Sequence, residues 1–238
     1  MKKTLFLLPV IFGIFTLIAC DKEDKKDDNP TAQNVDIDGN VFHEVKIGTQ
    51  IWMVENLKVT HYRNGDPILQ PSLDDWDNQT GVGACCSYMN NDSIANIYGR
   101  LYNFYAVTDP RNIAPKGWHV PSKEEWLVLI NFLGGENEAG AKLKEAGTDH
   151  WAGYNLDADT TTGFNALPGG YLSHLLDGSF QFVELDYSAS FYSSTLDQLV
   201  LPGVVYEYGR SFDIVYNRSG VFQGFGLKEA YSVRCIKD

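Results

Sequence analysis

Residues 114–135 read APKGWHVPSKEEWLVLINFLGG, and this stretch decides the fold class. It holds the clearest helix in the chain and stands between two strand-rich regions. Ser122 can cap a helix N-terminus, and Glu125, three residues on, completes a capping box. Trp126, Leu129, Ile130 and Leu133 recur at helical spacing and form one apolar face. Gly134-Gly135 then stops the helix. A second short helix is expected over 139–146, AGAKLKEA. Towards the N-terminus, residues 39–57 are rich in β-branched and aromatic side chains. Turn signals at Gly39-Asn40 and at Gly48-Thr49-Gln50 break them, which predicts a hairpin. Residues 64–84 are loop-like and hold Trp76 between Asp74-Asp75 and Asp77. Residues 98–107, YGRLYNFYAV, fit either a short helix or a strand. From Gly163 onward, short strands alternate with glycine turns: GFNALPGGY, GSFQFVEL, SASFYSST, VVYEYG, SFDIVYN and YSVRCIK. Strands, a helical middle and more strands make an α+β chain with a mainly antiparallel sheet. No repeat recurs at solenoid or propeller spacing.

The N-terminus says where the protein resides. Residues 1–20 read MKKTLFLLPVIFGIFTLIAC. Lys2 and Lys3 form a positive segment, Leu5 to Ile18 an apolar one, and Leu17-Ile18-Ala19-Cys20 a lipoprotein cleavage site. The run is short for a membrane span and lacks a stop-transfer flank, so 1–19 reads as a removable signal. Cys20 would carry the lipid, and acyl chains anchor by about 0.8 kcal/mol per buried CH₂. Residues 20–34 continue as DKEDKKDDNPTAQN after Cys20, a charged stretch without apolar periodicity, expected to be a flexible tether. The acids after Cys20 resemble the surface-export signals of lipoproteins in Bacteroidetes-like bacteria. In enterobacteria, Asp21 would instead favour retention in the inner membrane. The expectation is a lipid-anchored protein of the outer membrane, displayed at the cell surface.

Residues 35–238 suit one domain with a sizeable core. The formal charge of the whole chain is −12, and residues 1–19 hold lysines but no acids. A nucleic-acid ligand needs clustered basic charge to replace its counterions, so that partner is excluded. The cysteines are Cys20, Cys85, Cys86 and Cys235. With Cys20 lipidated, one bridge from the 85/86 pair to Cys235 is the economical arrangement, because neighbouring cysteines strain to bond each other. Three buried, reduced thiols are the alternative. No Cys/His spacing points to zinc.

The residues that carry chemistry in other proteins are not arranged for it here. His43, His61, His119, His150 and His174 form no HExxH pair, and the chain has no nucleophile elbow or phosphate-binding loop. His119, just before a helix, reads as a hydrogen-bonded structural residue. Asn34, Asp36, Asp38 and Gly39 imitate the start of an EF-hand loop. The twelfth position is Val45 instead of a bidentate glutamate, and the flanks alternate like strands. Asp74-Asp75 and Asp157 with Asp159 are acid pairs, but a hydrolytic pair needs a set separation across a cleft. The chain is therefore read as a non-enzyme without a cofactor, calcium being the one ion left open. Exposed aromatics are the usual platforms for sugars and protein partners. Trp76, Trp151, Tyr154, Tyr192, Tyr206 and Tyr208 are the candidate ligand-binding residues, with Tyr187 beside them. Trp52, Trp118 and Trp126 are expected in the core.

Seven segments resemble, in order, the Fibrobacter succinogenes major paralogous domain, common in lipoproteins of Bacteroidetes and Fibrobacteres. They are GNVFHEVKIGTQIWMVENLKVTHYRNG, YGRLYNFYAV, APKGWHVPSKEEWLVLINFLGG, AKLKEAG, GFNALPGGY, FYSST and SVRCIKD, and together they cover almost all of 35–238. The family often has an aromatic at the position of Cys85. The resemblance thus implies that Cys85 is the odd thiol and that Cys86 pairs with Cys235. More distantly, HVPSKEEW is similar to the RLPTEAEWE segment of formylglycine-generating enzymes, and the later GG…SST…VRC order is similar to their RGGSW…GFRC. That similarity implies a C-type-lectin-like fold: a twisted antiparallel sheet, two helices and long irregular loops. Those enzymes use a late cysteine pair to hold copper, whereas this chain has Cys235 alone there. The sugar-binding triplets of calcium-dependent lectins are also absent. The expected function is a non-catalytic surface lipoprotein that binds a glycan or a protein. The alternatives are a structural part of a fimbria-like assembly and a cell-envelope enzyme, either a copper oxidase or a glycan hydrolase.

Overall fold

In the computed structural model, which describes residues 34–238, β1 (Asn34–Val35) pairs with β2 (Val41–Phe42). The signal segment 1–19, Cys20 and tether residues 21–33 lie outside the described residues. Asp36 builds the turn between the two strands. Its carboxylate accepts the backbone N–H groups of Asp38 at 3.0 Å and Asn40 at 2.9 Å. Asp38 accepts in turn from Thr60 and contacts His61 at 2.5 Å. The two acids of the EF-hand-like run are thus engaged by the chain itself. β3 (Glu44–Ile47) and β4 (Gln50–Met53) form the expected hairpin. Ile47 pairs directly with Gln50, so the loop is Gly48-Thr49 alone, and Gly48 takes a φ of +60°. Tight hairpin loops demand that left-handed backbone.

The 64–84 stretch is not loop throughout. Ser72 caps α1 (Leu73–Trp76), which turns Trp76 inward. β5 (Cys85–Cys86) follows, then α2 (Asp92–Tyr98), which the sequence pattern did not announce. Residues 98–107 supply both of the structures weighed for them. β6 (Leu101–Tyr102) pairs with β5, and Asn103 then caps α3 (Phe104–Val107). β7 (Trp118–His119) leads into α4 (Lys123–Phe132). The capping box is present: Ser122 Oγ accepts the Glu125 N–H, and the Glu125 carboxylate accepts the Ser122 N–H at 2.8 Å. α5 (Ala139–Leu143) stops before Ala146, because Lys144 turns extended and bridges to Ala166.

The C-terminal strands are β8 (Gly169–His174), β9 (Phe180–Leu185), β10 (Ser188–Leu201), β11 (Val204–Val215), β12 (Val221–Gly226) and β13 (Ile236–Lys237). VVYEYG and SFDIVYN join in the single strand β11. β12 was not expected, because VFQGFG carries two glycines. A side chain at Gly224 would fall on the side chains of Ser211 and Asp213, so the position needs glycine. The first sheet runs β12-β11-β10-β8-β9 and is antiparallel except where Ala189 of β10 meets Gly170 of β8. The second runs β3-β4-β13-β7 and returns the C-terminus to the first hairpin. The architecture is mixed α+β, mostly curled sheet with a few short helices. No helix among the described residues is long and apolar enough to cross a membrane.

Residues 33–238 form one compact unit, and three apolar clusters fill it. In one, Trp126 of α4 stacks on Phe212 of β11, with centroids 5.1 Å apart, and lies 4.9 Å from Trp52 of β4. Full burial of side chains this large contributes about 1.5–3 kcal/mol each. Trp52, Trp118 and Trp126 are buried as expected. Two cations are also enclosed. Arg234 donates to Asn56 Oδ1 at 2.6 Å and to the Phe164 carbonyl, and its guanidinium lies 4.3 Å from the Phe164 ring centroid. Burial pulls its pKa down to about 9. Lys144 donates to the carbonyls of Leu156 (2.7 Å), Arg218 (3.0 Å) and Tyr216 (3.3 Å). Burial brings it down to about 8, and the charge of Asp157 opposes the fall.

Candidate functional site

Three of the aromatics expected to contact a ligand are interior. Trp76, Trp151 and Tyr192 are each no more than 2% exposed. Each points inward because its polar atom finds a backbone carbonyl there, the usual condition for burying a tyrosine or tryptophan. The Trp76 indole donates to the Lys228 carbonyl at 2.7 Å, and that of Trp151 to Ala166 at 3.1 Å. The Tyr192 hydroxyl reaches the Glu229 carbonyl at 3.2 Å. Those three residues stabilise the fold and do not form a binding face. Tyr154 is exposed on the loop after Trp151 but does not line the main groove.

Tyr206 and Tyr208 do lie at such a groove. β10 and β11 continue past the rest of the sheet as a two-stranded arm, with Leu199 opposite Tyr206 and Leu201 opposite Val204. β12 accompanies β11 only as far as the Gly226–Gly209 pair. Where it departs, a groove of about 610 Å³ opens, lined by Tyr206, Tyr208, Leu199, Leu201 and Phe225 with Leu227. The rings of Tyr208 and Phe225 lie 5.5 Å apart, and the Arg210 guanidinium lies 5.1 Å from the Tyr208 centroid. The apolar surface is open to solvent: Phe225 is 67% exposed, Tyr206 53% and Leu199 49%. Exposed apolar patches of this kind are surfaces on which a ligand or partner can be received.

The polar groups at the groove are His174, Glu207, Lys228 and Glu229. His174 stacks on Phe180 with centroids 4.8 Å apart. The Lys228 ammonium is paired with Asp77 at 2.6 Å. Glu207 accepts from Gln198 Nε2 at 2.9 Å, and Glu229 accepts the Leu227 N–H at 3.0 Å. Neither contact brings a cation to these two carboxylates, so the rim is acidic. The arrangement can stack a planar or sugar ring, accept apolar side chains and favour a cation. The lectin-like resemblance implied Tyr206 and Tyr208, which fall in the region where such folds display variable residues. Phe225 and His174 were missed, since a phenylalanine in VFQGFG and a histidine at the end of β8 carry no local sign of exposure.

Of the other titratable groups, His119 is structural, as expected. Its Nδ1 meets Asp238 Oδ1 at 2.7 Å and its Nε2 meets Glu125 Oε1 at 2.9 Å. Burial disfavours its charge, but the hydrogen bonds to Asp238 and Glu125 outweigh that and raise its pKa. His43 pairs with Glu55, His61 with Asp38 and His150 with Glu145. Asp75 serves the Ser72 cap, Asp159 caps the turn at Thr161, and Asp157 accepts from Ser219. Asp213 lies between Ser190 and Ser211. Burial pushes its carboxyl up to about 6, against the pull of both hydroxyls.

The Cys86–Cys235 bridge is not formed. Cys85, Cys86 and Cys235 are all buried, free thiols. Neighbouring residues on a strand face opposite sides. Accordingly Cys85 joins the apolar cluster that holds Cys235, while Cys86 joins the one that holds Trp76. The thiol assigned to the bridge therefore points away from its partner. Burial raises all three pKa values, that of Cys85 to about 12, so none is poised as a nucleophile. Behind Cys85 and Cys86 lies a polar cleft of about 310 Å³ whose walls include Gln70, Ser72, Asn90 and Asp92.

No curated protein and no solved structure matches the chain. A family model does match, over residues 45–237, and it spans every strand of both sheets apart from Glu44, the first residue of β3. By that match the chain belongs to the Fibrobacter succinogenes major domain family.

Proposed function

We propose that this protein is a non-catalytic binding module, held at the outer membrane by a lipid on Cys20 and displayed at the cell surface. It takes a glycan or a protein ligand in the groove beside the β10–β11 arm. The observation that carries this reading is the groove itself. Tyr206 and Phe225 are more than half exposed there, while Trp52, Trp76, Trp126 and Trp151 are buried. Irregular connections joining curled sheets fit the C-type-lectin-like architecture that the sequence resemblance implies. The non-catalytic part of the reading is supported by His43, His61, His119 and His150, each paired with a carboxylate, and by Asp75, Asp157 and Asp159, each held in a cap, turn or local hydrogen bond. A structural part in a surface assembly is the second reading, favoured by the edges of the same arm, which have no strand partner among the described residues.

The test is a glycan and extracellular-matrix array probed with residues 33–238, in calcium and in chelator. A reproducible signal equal in both solutions is the expected result. A signal lost in chelator would place calcium in the site. A blank array from folded protein would overturn the glycan-or-matrix reading in favour of a role in assembly.

A further inference from the structure

We infer that the groove is a strand-addition site that takes an extended, basic peptide segment of a partner chain. The inference rests on the proposal that this groove is the binding face, and it names the ligand class. β12 pairs with β11 from Ile214–Val221 to Gly209–Gly226 and then turns away. Three contacts hold the departing residues off the sheet. Glu229 draws back the Leu227 N–H at 3.0 Å, the Trp76 indole holds the Lys228 carbonyl at 2.7 Å, and Asp77 holds the Lys228 ammonium at 2.6 Å. β11 nevertheless continues through Tyr208 to Val204, paired only with β10. On its other side this segment has no strand neighbour among the described residues. The groove occupies the track that β12 vacates.

A free edge offers backbone donors and acceptors in a row, which an extended peptide satisfies by continuing the sheet. Its alternate side chains would fall on the Tyr206–Leu199 and Tyr208–Phe225 surface. Charge decides the rest of the ligand's chemistry. Glu207 and Glu229 line the groove, and its one lysine is neutralised by Asp77. The chain as a whole is also acidic, at −12. A segment that alternates apolar residues with Lys or Arg complements this rim. An acidic segment, or a second copy of this chain, would be repelled.

Three fluorescent octapeptides test the inference by anisotropy against residues 33–238, whose apolar clusters lie wholly within that unit. They are a Val-Lys repeat, a Val-Glu repeat, and the Val-Lys repeat N-methylated at alternate amides. The Val-Lys repeat is expected to bind, and the N-methylated form to bind about tenfold more weakly because it has lost strand hydrogen bonds. The Val-Glu repeat is expected to bind at least as poorly as the methylated form. Glu207→Gln should weaken the Val-Lys repeat by about threefold, the scale of one exposed ion pair. Equal binding of all three, or binding by none, would overturn strand addition. In that event, an array signal abolished by Tyr206→Ala would leave the groove standing as a site for another ligand. If Tyr206→Ala changed no binding at all, both readings would fall. Concentration-dependent dimers in sedimentation, lost in Val205→Lys, would overturn the inference in favour of a second copy.

Discussion

Replacing Asp213 with asparagine should stabilise this protein at neutral pH and destabilise it at acid pH. Asp213 stands on β11 opposite Ser190 of β10, with the Ser211 hydroxyl 3.5 Å from its carboxylate. Burial raises its carboxyl from the ordinary 3.8 to about 6. A folded-state pKa above the unfolded one means that the native protein binds the extra proton between those values. The stability linked to that proton is complete below about pH 4 and is lost as the pH rises through about 6. A shift of about two pK units makes the ionised group cost about 3 kcal/mol at pH 7.5. Asparagine keeps the size and one acceptor oxygen and removes the charge, but its amide needs an acceptor that the serines supply only in part. The net gain should be about 1–2 kcal/mol, or about 3–6 °C in melting temperature for a unit of this size. Calorimetry of residues 33–238 and of Asp213→Asn from pH 4 to pH 8 reads this directly. The variant should melt below wild type at pH 4, where the imperfectly paired amide costs about 1–2 kcal/mol, and above it once the pH has passed 6. A variant that melts below wild type at pH 7.5, by the amount seen at pH 4, would refute the reasoning. The charged carboxylate would then be a required partner of the sheet.

Other outcomes follow from the same physical reading. Lys144→Met leaves the carbonyls of Leu156, Val215, Tyr216 and Arg218 without the ammonium and should cost about 1–3 kcal/mol in urea unfolding; a loss below about 0.5 kcal/mol would show that the ammonium is dispensable. Between pH 6 and 9 wild type should lose stability relative to His119→Gln, because the raised His119 pKa stabilises the fold below about 6.5 and that contribution disappears on deprotonation; parallel pH profiles would contradict it. Because Cys85, Cys86 and Cys235 are unbonded, the melting temperature should be the same with and without reductant, and thiol reagent should titrate all three only after unfolding. A drop of several degrees in reductant would mean that a bridge exists.

Local physics made much of the fold legible in the sequence. The capping box at Ser122–Glu125, the 44–53 hairpin and the buried Trp52 and Trp126 depend on near neighbours and on period, and all are present in the structure. What could not be read depends on distant partners. Trp76 looked like a loop aromatic among acids, yet its indole is claimed by a carbonyl at Lys228. Tyr192 is likewise claimed from Glu229. Nothing adjacent to either residue signals the acceptor. β12 escaped notice because Gly224 and Gly226 lower strand propensity locally, while the close approach that requires Gly224 comes from Asp213 and Ser211 on another strand. The cysteine pair carried a usable sign: neighbours on a strand diverge, so one of the two had to face away from Cys235. At the site, the lectin-like resemblance singled out the region of Tyr206 and Tyr208, whereas Phe225 entered only through the register of β12 on β11.

The central claim is that the groove beside the arm is the binding face. The most direct test takes the strongest array ligand and compares its affinity for wild type, for Tyr206→Ala/Phe225→Ala and for Tyr154→Ala. All three side chains are exposed, so the substitutions should leave stability within about 0.5 kcal/mol. The account predicts a loss of at least about tenfold in the double variant, the scale of truncated aromatic anchors, and no change in Tyr154→Ala. Unchanged affinity in the double variant, with loss in Tyr154→Ala, would contradict it.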